Sequence, residues 1–308
     1  MTRISLHIRP RPPFRLDFTV WALRRQSHNQ IDQWNGKTYK RVFVVDGSPF
    51  LVEVTQEGST QNPRLGVLVS GRTIVSEERT KLTIAALLKK VLGTSEELQE
   101  FYTIARKNAK LNALANAFIG LKPPCYPSMF EALINAFACQ QLSLTVGITL
   151  LNRLSETYGA SIKNSGNSIH AFPLAENLAD AKPAALRRLG FSSNKAHAIT
   201  ALARSVLEKG LDLERLAKVN DQDAIDELRK ITGVGRWSAE YVLLRGLRRL
   251  TVFPGDDVGA QNNLQQFFSL ERKPDYETIK RITRRWKPYG GFVYFHFLLQ
   301  KLRVKGSL

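Results

Sequence analysis

Two neighbouring acids, Asp256 and Asp257, follow the chain break Phe253-Pro254-Gly255 in one of the most basic stretches of the sequence. They are the only acids from Tyr241 to Leu270, and Tyr241–Leu308 holds 13 Lys/Arg against 5 Asp/Glu. Phosphates bound to such a segment would repel a carboxylate, so these acids need a compensating role. A plain role exists: aspartate caps a helix N-terminus, worth about 1 kcal/mol. One aspartate is enough for that, so two adjacent ones leave a spare, and that spare is the candidate for chemistry. Upstream, Ile231-Thr232-Gly233-Val234-Gly235 separates two helical patterns, the second starting at Arg236. Free amides of such a turn, with a helix N-terminus behind them, form an anion grip that suits a DNA phosphate. Taken alone, the turn reads equally as a plain linker between helices.

The whole chain supports a polyanionic partner. It has 308 residues with Lys+Arg 45 against Asp+Glu 27, a net charge of +18, and a pI of about 10.1. That balance points to nucleic acid more than to an anionic membrane surface. A hydrophobic fraction of 43% excludes wholesale disorder. Cys125 and Cys139 are too few for a disulfide framework, a four-thiolate zinc site or an iron–sulfur cluster, and free thiols fit a reducing compartment. The N-terminus lacks the unbroken apolar run of a secretory signal, and Phe292–Leu299 is too short to span a bilayer. The expectation is a basic protein of the cytoplasm, associated with the nucleoid.

The elements that must carry the acids and the turn fall into two textures. Phe14–Leu23, Tyr39–Val45, Phe50–Thr55 and Leu65–Val69 read as antiparallel strands, punctuated by Asn35-Gly36, Asp46-Gly47 and Ser70-Gly71. Leu82–Val91 then has helical spacing and stops at Gly93. From Thr94 the chain reads as helices joined by short loops. Thr94 with Glu97, and Ser128 with Glu131, are the expected capping boxes. Further helices are expected near Ser143 to Tyr158, at Pro183–Leu189, Ser193–Glu208 and Asp223–Lys230, and from Arg236 to Arg249. The expected fold class is α+β: an N-terminal antiparallel β-sheet domain with a helix, residues 1–95, then a mostly α-helical body, 96–308. Within that body, 128–249 would form the hairpin-bearing subdomain, and 96–127 with 250–308 a second helical one.

The pattern L-x-x-I-T-G-V-G-R-W-x-A-x-Y, followed about twenty residues later by F-P-x-D-D, resembles the helix-hairpin-helix DNA glycosylases. The similarity runs from Phe130 to Leu299 and is greatest to the branch acting on 3-methyladenine. The resemblance implies a β-sheet leader packed on helices, Asp257 as the essential carboxylate, and Asp256 as the helix cap. Breaking an N-glycosidic bond develops positive charge on the deoxyribose, and a carboxylate beside C1′ stabilises that transition state. Ordinary glycosidases pair two carboxylates because a neutral leaving group needs an acid. A purine alkylated at N3 or N7 is already cationic, so a single carboxylate fits that lesion. Trp237 stands where related bifunctional enzymes have a lysine nucleophile, and Lys230 precedes the turn, so no lyase chemistry is implied.

Trp237 and Tyr241 share a helix face four residues apart and read equally as core packing or as pocket walls that stack on an electron-poor base. The resemblance assigns DNA contacts to Thr232, Gly233, Val234, Gly235, Arg236 and Ser238. It assigns the wedge that fills the gap left by a flipped base to Gln141, in Gln140-Gln141-Leu142. Gln141 replaces a frequent leucine, Val258 a frequent aromatic, and Leu298 another expected aromatic. No catalytic cofactor is implied; a structural Na+ or K+ is, held by the backbone carbonyls of Ile231 and Val234. His296 reads as a core histidine, and Lys280, Arg281, Arg284, Arg285 and Lys287 as a solvated face that also suits phosphate. The implied activity is monofunctional hydrolysis of alkylated purines in double-stranded DNA by a monomer. Oxidised or deaminated bases, or damage binding without turnover, are the alternatives.

Overall fold

The computed structural model describes residues 2–72, 74, 76–164, 166–208 and 210–308. The chain opens with β1 (Thr2–Ile8), α1 (Leu16–Arg24), β2 (Gln33–Trp34), β3 (Thr38–Val45), β4 (Ser48–Gln56) and β5 (Leu65–Gly71). These strands form one antiparallel sheet in the order β1-β5-β4-β3-β2. The expected strands at Tyr39, Phe50 and Leu65 are β3, β4 and β5, but Phe14–Leu23 is not a strand: it forms helix α1. Its Phe18, Thr19, Val20 and Trp21 are strand-favouring residue types, which is why this short segment reads as a strand, yet Leu16, Phe18, Val20, Ala22 and Leu23 are buried as one helix. Strand β1 went unread, and Ser70-Gly71 lies inside β5 rather than in a turn.

Next come α2 (Glu77–Leu92), α3 (Gln99–Ala105), α4 (Ala109–Ala117), α5 (Met129–Cys139) and α6 (Leu144–Tyr158). Ser128 and Ser143 cap α5 and α6 by accepting the Glu131 and Val146 amides. The expected cap at Thr94 is absent, because α3 starts at Gln99, and Glu97 instead accepts the Gln99 amide at 3.2 Å. A short hairpin, β6 (Ser161–Asn164) with β7 (Asn167–His170), interrupts the helices and covers Val42 and Leu51 on the sheet's outer face. The body continues through α7 (Ala175–Ala179), α8 (Pro183–Arg188), α9 (Ser193–Leu207), α10 (Asp221–Arg229), α11 (Arg236–Gly246), α12 (Val258–Phe268), α13 (Tyr276–Thr283) and α14 (Gly290–Val304). No helix among the described residues is long and apolar enough to cross a membrane.

One apolar core joins the sheet to α2, α5, α6, α9 and α11. A second gathers α3, α4, α12, α13 and α14 around Phe101, Phe118, Phe292 and Phe295, with Phe18 and Ala22 of α1. His296 is fully buried in it, its ring nitrogen Nδ1 2.9 Å from the Phe292 carbonyl, and burial drives its pKa down to about 4. The sheet is locked to α5 by Arg41, whose guanidinium donates to Asp32 at 2.8 Å and to Glu131 at 2.6 and 2.7 Å, all three side chains being buried.

Candidate active site

Helix α11 is placed by the tight turn that precedes it. Gly233 has φ +86°, and a Cβ there would lie 3.0 Å from Ala198 Cβ and 3.4 Å from the Phe137 ring. Both the left-handed backbone and the close approach therefore demand glycine. Gly235 is the N-cap of α11 and offers no side-chain cap, so the first amides of the helix face the turn without that partner. Thr232, Gly233, Gly235 and Arg236 are exposed, as an anion grip requires, while Val234 and Ser238 are buried. Ser238 accepts a hydrogen bond from Gln140 Nε2 at 2.5 Å, so its side chain is occupied within the protein. The same Gln140 amide donates to the Gly233 carbonyl at 2.8 Å, tying the loop that carries Gln141 to the hairpin. Gln141 is exposed with φ +54°, and Lys195 Nζ braces its loop through the Gln140 carbonyl at 2.6 Å.

The basic helix expected from Arg236 to Arg249 is shorter and mostly inward-looking. It stops at Gly246; Arg245 is fully buried, and Arg248 and Arg249 are spent on backbone carbonyls such as those of Pro123 and Val219. Of these arginines, Arg236 reaches the surface beside the turn, where it forms a bidentate ion pair with Asp256: Nε donates to Oδ2 at 2.6 Å and Nη2 to Oδ1 at 2.9 Å.

That pairing overturns the expected division between the two aspartates. Asp256 does not cap α12. Asp257 is the N-cap, its Oδ1 accepting the Ala260 amide at 2.7 Å. Its other oxygen, Oδ2, accepts the indole N–H of Trp237 at 3.1 Å and the hydroxyl of Tyr294 at 3.3 Å. A carboxylate has two oxygens, so capping consumes one and leaves the second pointed at the aromatic wall; one residue performs both tasks. Among the described residues no Lys, Arg or His forms an ion pair with Asp257, so its negative charge faces neutral donors.

The space beside it is a cavity of about 940 Å³ lined by Asp257, Trp237, Tyr241, Tyr294, Leu298, Lys301 and the loop from Cys139 to Leu142, among others. Trp237 and Tyr241 stack with ring centroids 5.2 Å apart and an interplanar angle of 25°. Tyr241 is buried, yet both rings line the cavity, so core packing and pocket lining are one arrangement here. The inner wall holds two residues that sequence reasoning missed. Arg25, in a left-handed conformation just past α1, donates to Tyr241 Oη and Asn135 Oδ1, both at 2.8 Å. Arg245 donates to the Ala22 and Leu23 carbonyls and lies 5.7 Å from the Tyr241 ring centroid. Among the described residues neither of these buried guanidinium groups pairs with a carboxylate. Arg25 carried no local signal, whereas Tyr294, Leu298 and Lys301 share one face of α14 at i, i+4 and i+7, a spacing legible in the sequence.

The carbonyl of Ile231 accepts the Val234 amide at 3.0 Å, which leaves its second lone pair open to a hard monovalent cation. Lys280, Arg281, Arg284, Arg285 and Lys287 are all exposed.

The profile of the HhH-GPD superfamily base excision DNA repair proteins matches residues 134–288, which contain the hairpin, Trp237 and both aspartates. The chain is 34% identical to a DNA-3-methyladenine glycosylase of Bacillus subtilis (strain 168), over 92% of each chain. Its fold matches a 3-methyladenine DNA-glycosylase from Archaeoglobus fulgidus with a TM-score of 0.83 at 24% identity, covering 96% of this chain and 97% of that one. It also matches a Clostridium acetobutylicum 8-oxoguanine glycosylase/lyase, with a TM-score of 0.73 at 17% identity over 95% of each. The chain belongs to the HhH-GPD superfamily of base excision DNA repair proteins, and it is a DNA glycosylase.

Proposed function

We propose that this glycosylase is monofunctional and removes alkylated purines of the 3-methyladenine and 7-methylguanine class from duplex DNA by hydrolysis. The observation that carries this reading is the triad of Asp257, Trp237 and Tyr241 on one cavity: a carboxylate without a cationic partner, bonded to one of two stacked electron-rich rings. A flipped base enters beside those rings, which attract an electron-poor heterocycle by stacking and cation–π forces. The C1′–N bond breaks with its electron pair passing to the base, so a cationic purine leaves neutral. Positive charge left on the sugar is stabilised by Asp257. Water then adds at C1′ and gives up a proton, leaving an abasic site.

The exposed turn from Thr232 to Arg236 grips the backbone phosphate through its amides, Val234 and Ser238 contributing only from their main chain. Gln141 fills the gap in the duplex, and the carbonyls of Ile231 and Val234 would hold a Na+ or K+, which would supply positive charge for a backbone phosphate. The proposed enzyme is a monomer working on the nucleoid. Lys301 lines the cavity from α14, whereas hairpin position 237 is a tryptophan, which supports hydrolysis without strand cleavage.

One feature favours a second substrate class. Arg25 and Arg245 place two positive charges without carboxylate partners on the inner wall, an environment that suits a neutral oxidised or deaminated base presenting carbonyl oxygens. The test is a panel of duplexes carrying alkylated, oxidised and deaminated bases, incubated with wild type and Asp257→Asn. Release of 3-methyladenine ahead of neutral lesions, lost in the variant while DNA binding persists, is the expected result. The reverse ranking selects the second class, equal release by both proteins refutes the role of Asp257, and a borohydride-trapped adduct refutes monofunctional chemistry.

A further inference from the structure

Helix α11 holds three successive residues of the loop that delivers the carboxylate. Trp237 bonds Asp257, Arg236 bonds Asp256, and Glu240, one turn further on, reaches Gly255: its Oε2 accepts the Gly255 amide at 3.1 Å. The other oxygen of Glu240, Oε1, accepts the Tyr276 hydroxyl from α13 at 2.5 Å. Glu240 is 3% exposed and is not among the residues lining the cavity. A buried carboxylate is costly unless hydrogen-bonded, so its presence at an inward position needs a reason. The two donors supply it. A carboxylate alone among side chains of this length offers two acceptor oxygens and no donor, which matches one backbone N–H and one hydroxyl arriving from different elements.

The clamp is completed by packing. A Cβ on Gly255 would lie 2.7 Å from the Tyr276 ring, so that ring sits directly on the loop backbone. The Arg236 guanidinium covers the Tyr276 ring at 3.7 Å while it holds Asp256. Gln261 Nε2, from α12, donates to the Gly255 carbonyl at 3.1 Å.

We infer that Glu240 is a positioning residue for Asp257, fixing the loop through the Gly255 amide and the Tyr276 hydroxyl so that the carboxylate meets the sugar in one orientation. This rests on the catalytic reading of Asp257 given above. The titratable and charged groups facing Glu240 are Tyr276 from α13, Asp256 from the loop, and Arg236 on its own helix. Burial lifts its carboxyl to about 7, and the bond from Tyr276 opposes that rise. Protonation turns one acceptor into a donor, so the clamp weakens as pH falls through that value.

The experiment measures single-turnover excision of methylated duplex DNA, with enzyme in excess, and affinity for an abasic duplex. Wild type, Glu240→Gln, Tyr276→Phe and Asp257→Asn are compared across pH 5.5–8.5. Loss of one bond at a buried carboxylate predicts about a tenfold slower rate for Glu240→Gln and a several-fold slower rate for Tyr276→Phe. Abasic-duplex affinity stays within about threefold of wild type in both. The wild-type profile has an inflection near 7 that vanishes in Glu240→Gln and moves to higher pH in Tyr276→Phe. Wild-type rates in both variants overturn the clamp, as does an inflection that persists unmoved in both. A parallel loss of rate and DNA affinity also overturns it, because that is general loosening of the fold. Excision retained by Asp257→Asn overturns the catalytic reading beneath it, a separate outcome.

Discussion

The indole of Trp237 touches both halves of the proposed reaction: its N–H binds Oδ2 of Asp257 at 3.1 Å, and its ring stacks on Tyr241 at 5.2 Å. The two functions can be separated. Trp237→Phe keeps an aromatic surface and removes the N–H donor. A hydrogen bond to a charged group contributes about 1.5–3 kcal/mol, so single-turnover excision should slow by about 10- to 100-fold with little change in DNA affinity. Trp237→Ala removes the ring as well and should also weaken discrimination between methylated and normal purines, read by competition between the two duplexes.

The two aspartates should respond very differently to the same substitution. Asp256 is paired with Arg236 at a half-exposed position, where an ion pair is worth about 0–1 kcal/mol. Asp256→Asn should therefore shift the melting temperature by no more than a few degrees and leave excision within about threefold of wild type. Asp257→Asn replaces one carboxylate oxygen with an amide and should remove excision under the same conditions. Thermal melts and base-release assays on the pair check both statements.

Arg41 is a stability residue with no contact to the cavity. Arg41→Met leaves Asp32 and Glu131 buried without their cation, and breaking a buried pair from one side costs about 3–5 kcal/mol. Urea unfolding should show a loss of that size. Adding Glu131→Gln to Arg41→Met should recover part of it, because it removes one of the two stranded charges.

His296 should make the fold acid-sensitive. Its folded pKa is lowered from 6.5 to about 4 by burial, so its neutral form belongs to the native state. Its contribution is present in full above pH 6.5 and is lost as pH falls through the window from 6.5 to about 4, where the unfolded chain takes up a proton that the folded one refuses. Two and a half pKa units correspond to about 3 kcal/mol. Unfolding free energies at pH 7 and pH 4.5 should differ more in wild type than in His296→Phe.

Much of the site was legible because its signals are local. The glycine turn, Trp237 and Tyr241 at i and i+4, and the acids after Pro254 lie within a single stretch, and the structure brings them onto one cavity. The division of labour between Asp256 and Asp257 was not legible: both fit a cap, and the choice is made by Arg236, twenty residues away in sequence. Arg25 was invisible for the same reason, since its partner Tyr241 lies 216 positions further on. In the fold, strand-favouring composition between turn signals exposed β3, β4 and β5, whereas the same residue types in Phe18–Trp21 made helix α1 read as a strand. The directions of Arg245 and Arg248 were not legible either: both are plain positive charges in the sequence, and tertiary packing turns them inward toward carbonyl oxygens.

The amide of Gln140 joins the hairpin carbonyl of Gly233 to the loop bearing Gln141, so the two parts aimed at the double helix are mechanically one body. Such a coupling lets the tip side chain be exchanged for any that tolerates its left-handed backbone, since among the described residues the Gln141 side chain makes no hydrogen bond to the scaffold. A lineage under changing chemical attack could thus retune how its probe enters the stack while the grip behind it stays put.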